Sequence, residues 1–352
     1  MLFIVCCSAA CSVCYCQDMN NEDRTDSAFM ASLPSKSITL KVKAGSGNNI
    51  PFSGIKIIDA RFDTMSIGFT HPAILSRYEK LYFEHSVGED ITSYITHNYS
   101  LLPAADSTWN VVIVFDKCWI TSSIVKDASL AGSFQEGIVI KANILAERSG
   151  EYHPLYKVDS IYTKAALFAD NETLMIEHAI DKVLGNVINK GQSELRISKR
   201  ALTYNNIISY ISDKFDLPIL NGTAYKKGIY KTFDEFKNNS PSIKNYEVVY
   251  KGKNDVLRGQ EEDGPFHTIK NAWGFCDGTN LYICSSDNFF LLGKEGRAFI
   301  TRGFKSFTYV RDVNFFVLTD PTHFIMVPIF TGGHLKDKKV PLQIDMETGE
   351  LF

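Results

Sequence analysis

The stretch EGIVIKANILAERSGEYHPLYKVDSIYTKA, residues 136–165, decides how the first half of the chain folds. From Glu136 to Glu147, Ile138, Ile140, Ala142, Ile144 and Ala146 fall on every second position, and alternate residues of a strand share one face. Tyr152 to Ala165 alternates in the same way, and Ser149-Gly150-Glu151 between the two runs has the chemistry of a tight turn. Two antiparallel strands with one apolar face are therefore expected here. A face of that kind needs helices or a second sheet to cover it.

Working outward, Asn110 to Trp119 is apolar and rich in Val, as a central strand is. Upstream, Ser37 to Lys43 and Ile55 to Arg61 read as further strands. Val87, Ile91 and Ile95 recur at helical spacing and predict a helix near 88–101. Downstream, Thr173 to Asn189 predicts an amphipathic helix with Leu174, Ile176 or Glu177, Ile180, Val183, Leu184 and Val187 on its apolar side. Asn171 or Thr173 would cap it. The fold class is α+β. Residues 37–190 form a domain with a largely antiparallel sheet and helices packed on one face.

Residues 191–216 hold a basic turn and a short helical stretch, Leu202 to Phe215, and read as a helical connector. Beyond it, residues 217–352 change texture, with short strands and frequent turns. Strands are expected near 245–251, 269–276, 280–285, 287–293, 296–302, 305–309 and 323–330. A last pair, Pro341 to Asp345 and Glu350 to Phe352, closes the chain. Thr232 and Glu235 frame a single helical turn as a capping box. This second part reads as a β-rich domain of hairpins, a small sandwich or an open barrel.

At 352 residues the chain exceeds the ~250–300 at which one core stops growing, which agrees with two domains. Hydrophobic content of 45% and aromatic content of 12% suffice for full folding. The net charge of −3 argues against a nucleic-acid-binding surface.

The first residues, MLFIVCCSAACSVCYCQD, carry no charge before Asp18. The run is shorter than the ~20 apolar residues of a spanning helix but fits the ~7–15 of a signal segment. Residues 1–16 are expected to be an export signal, cleaved after Cys14-Tyr15-Cys16, with 17–36 a polar tether. Ser8-Ala9-Ala10-Cys11 offers a second route, in which Cys11 is lipidated and retained. A cytosolic chain with a buried N-terminal run is the remaining alternative. Removing the signal takes five of the eight cysteines with it, leaving Cys118, Cys276 and Cys284 as buried free thiols. Cys276 and Cys284 flank the turn Asp277-Gly278-Thr279-Asn280 and should point to opposite faces of their hairpin. No segment of the mature chain reads as a transmembrane span.

Two constellations stand out. In Ile58-Asp59-Ala60-Arg61-Phe62-Asp63-Thr64, Asp59 and Arg61 share a strand face and can pair. They form either a clamp on the following loop, the favoured reading, or a ligand-binding carboxylate with its guanidinium partner. In the hairpin from Trp273 to Ile283, Trp273 and Tyr282 could stack on a sugar or hold a partner strand, with Asp277 beside them. Cross-strand core packing is the commoner fate of such a pair.

The Asp-x-Arg strand end followed by Ile67-Gly68, with the order helix, strands, closing helix, resembles the YajG-like and transporter-auxiliary periplasmic lipoproteins over about residues 37–190. The N-terminal part of curli-secretion lipoproteins has a related layout. Such proteins are scaffolding or assembly factors, so the resemblance implies no catalytic residue. Lys227 to Ile243 and Trp273 to Gly278 are similar to segments of secreted, uncharacterised proteins of the Bacteroidetes.

No Gly-x-Ser-x-Gly elbow, phosphate-cradling loop, dinucleotide fingerprint or zinc spacing occurs, and Glu177-His178 reads as a solvated helix face. No cofactor or metal is expected. The sequence leads to an exported cell-envelope protein, periplasmic, outer-membrane-associated or secreted. Its expected role is a non-enzymatic interaction or assembly component with a protein partner, of open oligomeric state. The alternative is an extracellular hydrolase or glycan-binding module built on the aromatic hairpin.

Overall fold

The computed structural model describes residues 33–43, 49–70, 78–101, 109–125, 133–165, 172–195, 200–251, 254–261, 264–285, 288–320 and 323–351. The expected signal, with Cys11, the tether up to residue 32, and Asn171, one of the two expected helix caps, lie outside these residues; the other, Thr173, lies within the helix Glu172–Leu195 and does not cap it.

In chain order the first half contains β1 (Ser35–Ile38), β2 (Asn49–Ile50), β3 (Gly54–Asp59), β4 (Gly68–Thr70), β5 (Glu79–Phe83), α1 (Val87–Asn98) and β6 (Ser100–Leu101). There follow β7 (Asn110–Val125), β8 (Ser133–Arg148), β9 (Glu151–Ala165), α2 (Glu172–Leu195), β10 (Leu202–Thr203) and α3 (Tyr204–Phe215). The second half contains α4 (Pro218–Asn221), β11 (Gly228–Tyr230), α5 (Phe233–Lys237), β12 (Asn245–Lys251), β13 (Asn254–Gln260), β14 (His267–Thr268) and β15 (Gly274–Cys276). It ends with β16 (Leu281–Ser285), β17 (Asn288–Glu295), β18 (Ala298–Asp320) and β19 (His323–Gln343).

The first sheet runs β1-β5-β4-β7-β8-β9-β10, and β3 also pairs with β7. The hairpin of residues 136–165 is its centre. Ser149 and Gly150 both take positive φ, 55° and 83°, as a two-residue turn matched to strand twist requires. β7, β8 and β9 are antiparallel, whereas β1–β5 and β3–β7 are parallel. The β7 edge is shared: β3 pairs with Asn110 to Phe115, and Gly68 of β4 meets Ile120. Gly68 has φ 130°, and a Cβ there would collide with the Ile120 carbonyl oxygen, so only glycine fits.

One face of this sheet, with Ile113, Phe115, Ile138, Ile140 and Ile144, packs against α1 and α2 in one core. On α2 the buried stripe is Met175, Ile176, Ala179, Ile180, Val183, Leu184 and Val187, while Leu174 is exposed. The helices of the expected first domain do lie on one face. The opposite face is covered by α3, which lies in the stretch expected to be a connector. Its Ile207 clusters with Val112, Val114, Leu145 and Tyr152, and Leu202 of β10 pairs with Tyr152.

The second half is a small sandwich, one of the two expected forms. The six-stranded sheet β11-β15-β16-β17-β18-β19 is antiparallel throughout. The three-stranded sheet β12-β13-β14 packs on one face around Ile229, Ile243, Leu257, Phe275 and Tyr282. Strand β13 is an element the sequence reading did not anticipate. Helices α4 and α5 pack on the other face with Tyr230, Phe236, Cys276 and Phe299. The α5 cap departs from a capping box. Thr232 Oγ1 accepts from Glu235 N, but the Glu235 carboxylate accepts from Lys231 N (2.7 Å) and Ser242 Oγ (3.0 Å) and so ties the turn to the next segment.

Strands β18 and β19 outrun the rest of the sheet. β17 pairs with β18 only as far as Thr301, and beyond it residues 302–320 pair only with β19 among the described residues. The expected strands near 305–309 and 323–330 are parts of this arm, which extends about 60 Å at ~3.4 Å per residue.

Candidate functional site

The richest polar cluster lies where the two halves meet. It starts from Asp59 and Arg61, at the point where β3 leaves the β7 edge and β4 takes its place. The chain must step out between these strands, and the step is held by side chains. Arg61 Nε and Nη2 donate to the two oxygens of Asp59 at 2.8 and 2.9 Å, and Nη1 donates to the Ser66 carbonyl at 2.8 Å. Asp63 accepts from Met65 N (2.8 Å), Ser66 N (3.1 Å) and Ser66 Oγ (2.5 Å). Arg61 and Asp63 are 3% and 4% exposed, so a ligand has little access to either. Burial alone would lower the Arg61 pKa, but the hydrogen bond and charge of Asp59 outweigh it and the pKa is raised. This is the geometry of a loop clamp.

The second half reaches into the same cluster. Gln343 Nε2 donates to Asp63 at 3.0 Å. Asp345 accepts from Lys117 Nζ at 2.8 Å and lies 3.8 Å from Lys141 Nζ. Lys214 of α3 bridges Asp116 (3.1 Å) and Glu347 (3.0 Å), and Asp116 also accepts from Tyr210 OH (3.0 Å) and Asn143 Nδ2 (2.6 Å). For Asp345 burial works against the carboxylate, but Lys117 prevails and the pKa is lowered; for Lys117 burial prevails over Asp345 and the ammonium pKa is lowered. Cys118 is buried and its thiol is pushed up to about 11, away from the reactive thiolate. The cavity among these residues holds about 30 Å³, the space of a single water. Each carboxylate of the cluster accepts from a cation, amide or hydroxyl group, so the arrangement ties the two halves together.

The aromatic hairpin does not bring its expected pair together. Tyr282 is opposite Phe275 and stacks on it at 4.6 Å with rings 10° apart, in the core beneath the three-stranded sheet. Trp273 packs on the other side against Phe236 (4.2 Å) and Phe233 (5.2 Å). Tyr282 is buried and Trp273 half-buried, each packed against the core of a different side of the sheet. Asp277 Oδ1 accepts from Thr279 N and Asn280 N, both at 2.7 Å, and Gly278 takes φ 109°, so Asp277 shapes the turn. Cys276 and Cys284 are free thiols on opposite faces, as expected.

One helix-face expectation is corrected. Glu177 is 2% exposed, because the segment after β1 crosses α2 and Lys41 N donates to its carboxylate at 2.8 Å. Its neighbour Asp181 accepts from Lys43 Nζ (2.6 Å), Tyr94 OH (2.8 Å) and Tyr99 OH (2.7 Å). Only His178 is solvated. Among the site residues, sequence reasoning missed Asp116, Lys214, Gln343 and Asp345, whose partners are distant in the chain. Asp63 did have a local signal, the Asp-x-x-Ser spacing of a side-chain-closed turn.

Among the described residues no group of three or more His, Cys, Asp and Glu side chains is arranged to hold a metal ion. Nor is any described helix long and apolar enough to cross a membrane.

No family model and no curated protein matches the chain. Among solved structures, protein XCC0632 of Xanthomonas campestris, assigned to family-model DUF330, aligns with 47% of this chain and 97% of its own. The identity is 10% and the TM-score 0.28. An uncharacterised protein aligns with 45% of this chain and 99% of its own, at 5% identity and a TM-score of 0.25. At these values the likenesses assign neither family nor function.

Proposed function

We propose that the chain is an exported cell-envelope protein that acts as a non-enzymatic interaction or assembly component, with the β18–β19 arm as the element that engages its partner. The arm is the observation that carries this reading. Every rung from Val313↔Phe330 to Thr319↔Phe324 includes at least one apolar residue. A two-stranded ribbon is marginal by itself in water, and its outer edges are templates for strand addition. Both needs are met when the arm pairs with another strand. The uncharged run Met1 to Tyr15 supports export.

The test is sedimentation velocity over a concentration series. The mature chain is compared with a variant in which Lys305 is joined to Lys339, its partner in the ladder, through Asn-Gly. The full chain should form larger species as concentration rises, and the shortened chain should stay monomeric. Identical behaviour of the two, with near-native circular dichroism, would overturn the arm as the interacting element. Mass spectrometry of the mature N-terminus tests export separately: cleavage before Gln17 or lipid on Cys11 supports it, and an intact Met1 in the host cytosol refutes it.

A further inference from the structure

Helix α3 sits on the outer face of the first sheet by an unusual attachment. Of its side chains only Ile207 is buried. Its C-terminal end is drawn down by Tyr210 and Lys214 onto Asp116 and by Phe215 packing edge-on to Phe62 at 5.2 Å. Its apolar contacts run along one narrow line, the buried Ile207, the half-buried Ile211 and Phe215, so the helix does not cover the sheet across its whole width. Between it and the sheet a half-open groove of about 540 Å³ remains, within the size range of small-molecule sites.

The groove has a definite chemistry. Its floor is two adjacent cross-strand rows, Val114↔Asn143↔Lys157 and Leu145↔Pro154, with Leu202 of β10 alongside. Among the described residues its cations are Lys157 and Arg200, both on the β9–β10 side, and neither forms an ion pair with a described carboxylate. The opposite wall is α3, with Asn206, Ser209 and Asp213. The Asp213 carboxylate accepts from Ser209 Oγ at 3.4 Å. An occupant with a negative group is thus steered toward the β9–β10 wall and away from Asp213, while the floor takes an apolar body.

We propose that this groove binds an amphipathic organic anion, an apolar chain or ring bearing one carboxylate, with Lys157 and Arg200 holding the carboxylate and Leu145, Pro154 and Leu202 beneath the apolar part. This goes beyond the partner role of the arm and does not depend on it.

The probe is 11-(dansylamino)undecanoate, with its methyl ester as the uncharged comparison, titrated into the mature chain and followed by dansyl emission. The acid should bind with a blue shift and the ester about tenfold more weakly, since only the acid offers Lys157 and Arg200 a charged acceptor. The double variant Lys157→Gln/Arg200→Gln, at two exposed positions, should lose the preference for the acid and keep its melting temperature. Ser209→Trp, which fills the groove from the helix side, should abolish binding of both probes. The proposal is overturned if the acid does not bind, if acid and ester bind equally to the unaltered chain, or if neither variant changes the affinity.

Discussion

Helices α2 and α3 cover opposite faces of one sheet and are held there by different physics. α2 buries an apolar stripe from Met175 to Val187, continuous with the sheet's inner face. α3 fully buries only Ile207, with Ile211 half-buried beside it and Phe215 edge-on to Phe62, and is moored through Tyr210 and Lys214 to Asp116. Burying a Leu or Ile side chain stabilises by about 1.5–3 kcal/mol, so the stripe makes α2 part of the cooperative core. A polar mooring contributes less and is local. The first helix is integral, and the second can stand off far enough to leave a groove.

Breaking the stripe should give the largest effect. Leu184→Ala removes a fully buried side chain and should cost about 2–5 kcal/mol, read as a lower midpoint in urea with the unfolding slope unchanged. Breaking the mooring should be smaller and local. Asp116→Ala leaves Lys214, whose side chain is 6% exposed, with Glu347 as its remaining carboxylate partner, and takes their acceptor from the Tyr210 hydroxyl and the Asn143 amide. A loss of about 1–3 kcal/mol is expected, with faster amide exchange in 204–215 than in 172–195. Equal acceleration in both helices would contradict the contrast.

Acid should act through the paired carboxylates. For Asp181 burial raises the pKa, but Lys43, Tyr99 and Tyr94 outweigh it and hold the carboxyl below the ordinary aspartate range. Asp345 is lowered as well. A depressed carboxylate contributes stability that is complete above its unfolded pKa and is lost as pH falls through the folded one. Stability should therefore hold down to about pH 4 and decline below it, and Asp181→Asn should flatten that decline in urea titrations at stepped pH. The smallest effect is expected on the solvent side of α3: Ile208→Ser, at a residue 44% exposed, should stay within about 0.5 kcal/mol in the same assay.

How far each element could be read follows from the range of the interactions that make it. The α2 stripe was legible because its signal is a period within one segment, although Leu174 turned outward and Met175 took its place in the core. The Ser149-Gly150 turn was legible because positive φ at two successive residues selects few residue types. Trp273 and Tyr282 misled because alternation indicates that an aromatic residue faces something, but not what covers that face. Here α5 covers one side of the sheet and the three-stranded sheet the other. The Asp59–Arg61 pair was legible as a pair and as a clamp; its need, two strands sharing one edge of β7, was not.

The sequence by itself determined the α+β class, the central hairpin, the amphipathic helix α2 and the free state of Cys276 and Cys284. Each rests on the order of neighbouring residues, through period, turn conformation or strand alternation. Only the tertiary structure decided that Lys214 meets Asp116, that Gln343 meets Asp63 and Lys117 meets Asp345, and that α3 closes the outer face of the first sheet with a groove beside it. Those contacts join residues about a hundred to nearly three hundred positions apart, and no local pattern encodes a partner that only chain folding brings within hydrogen-bond reach.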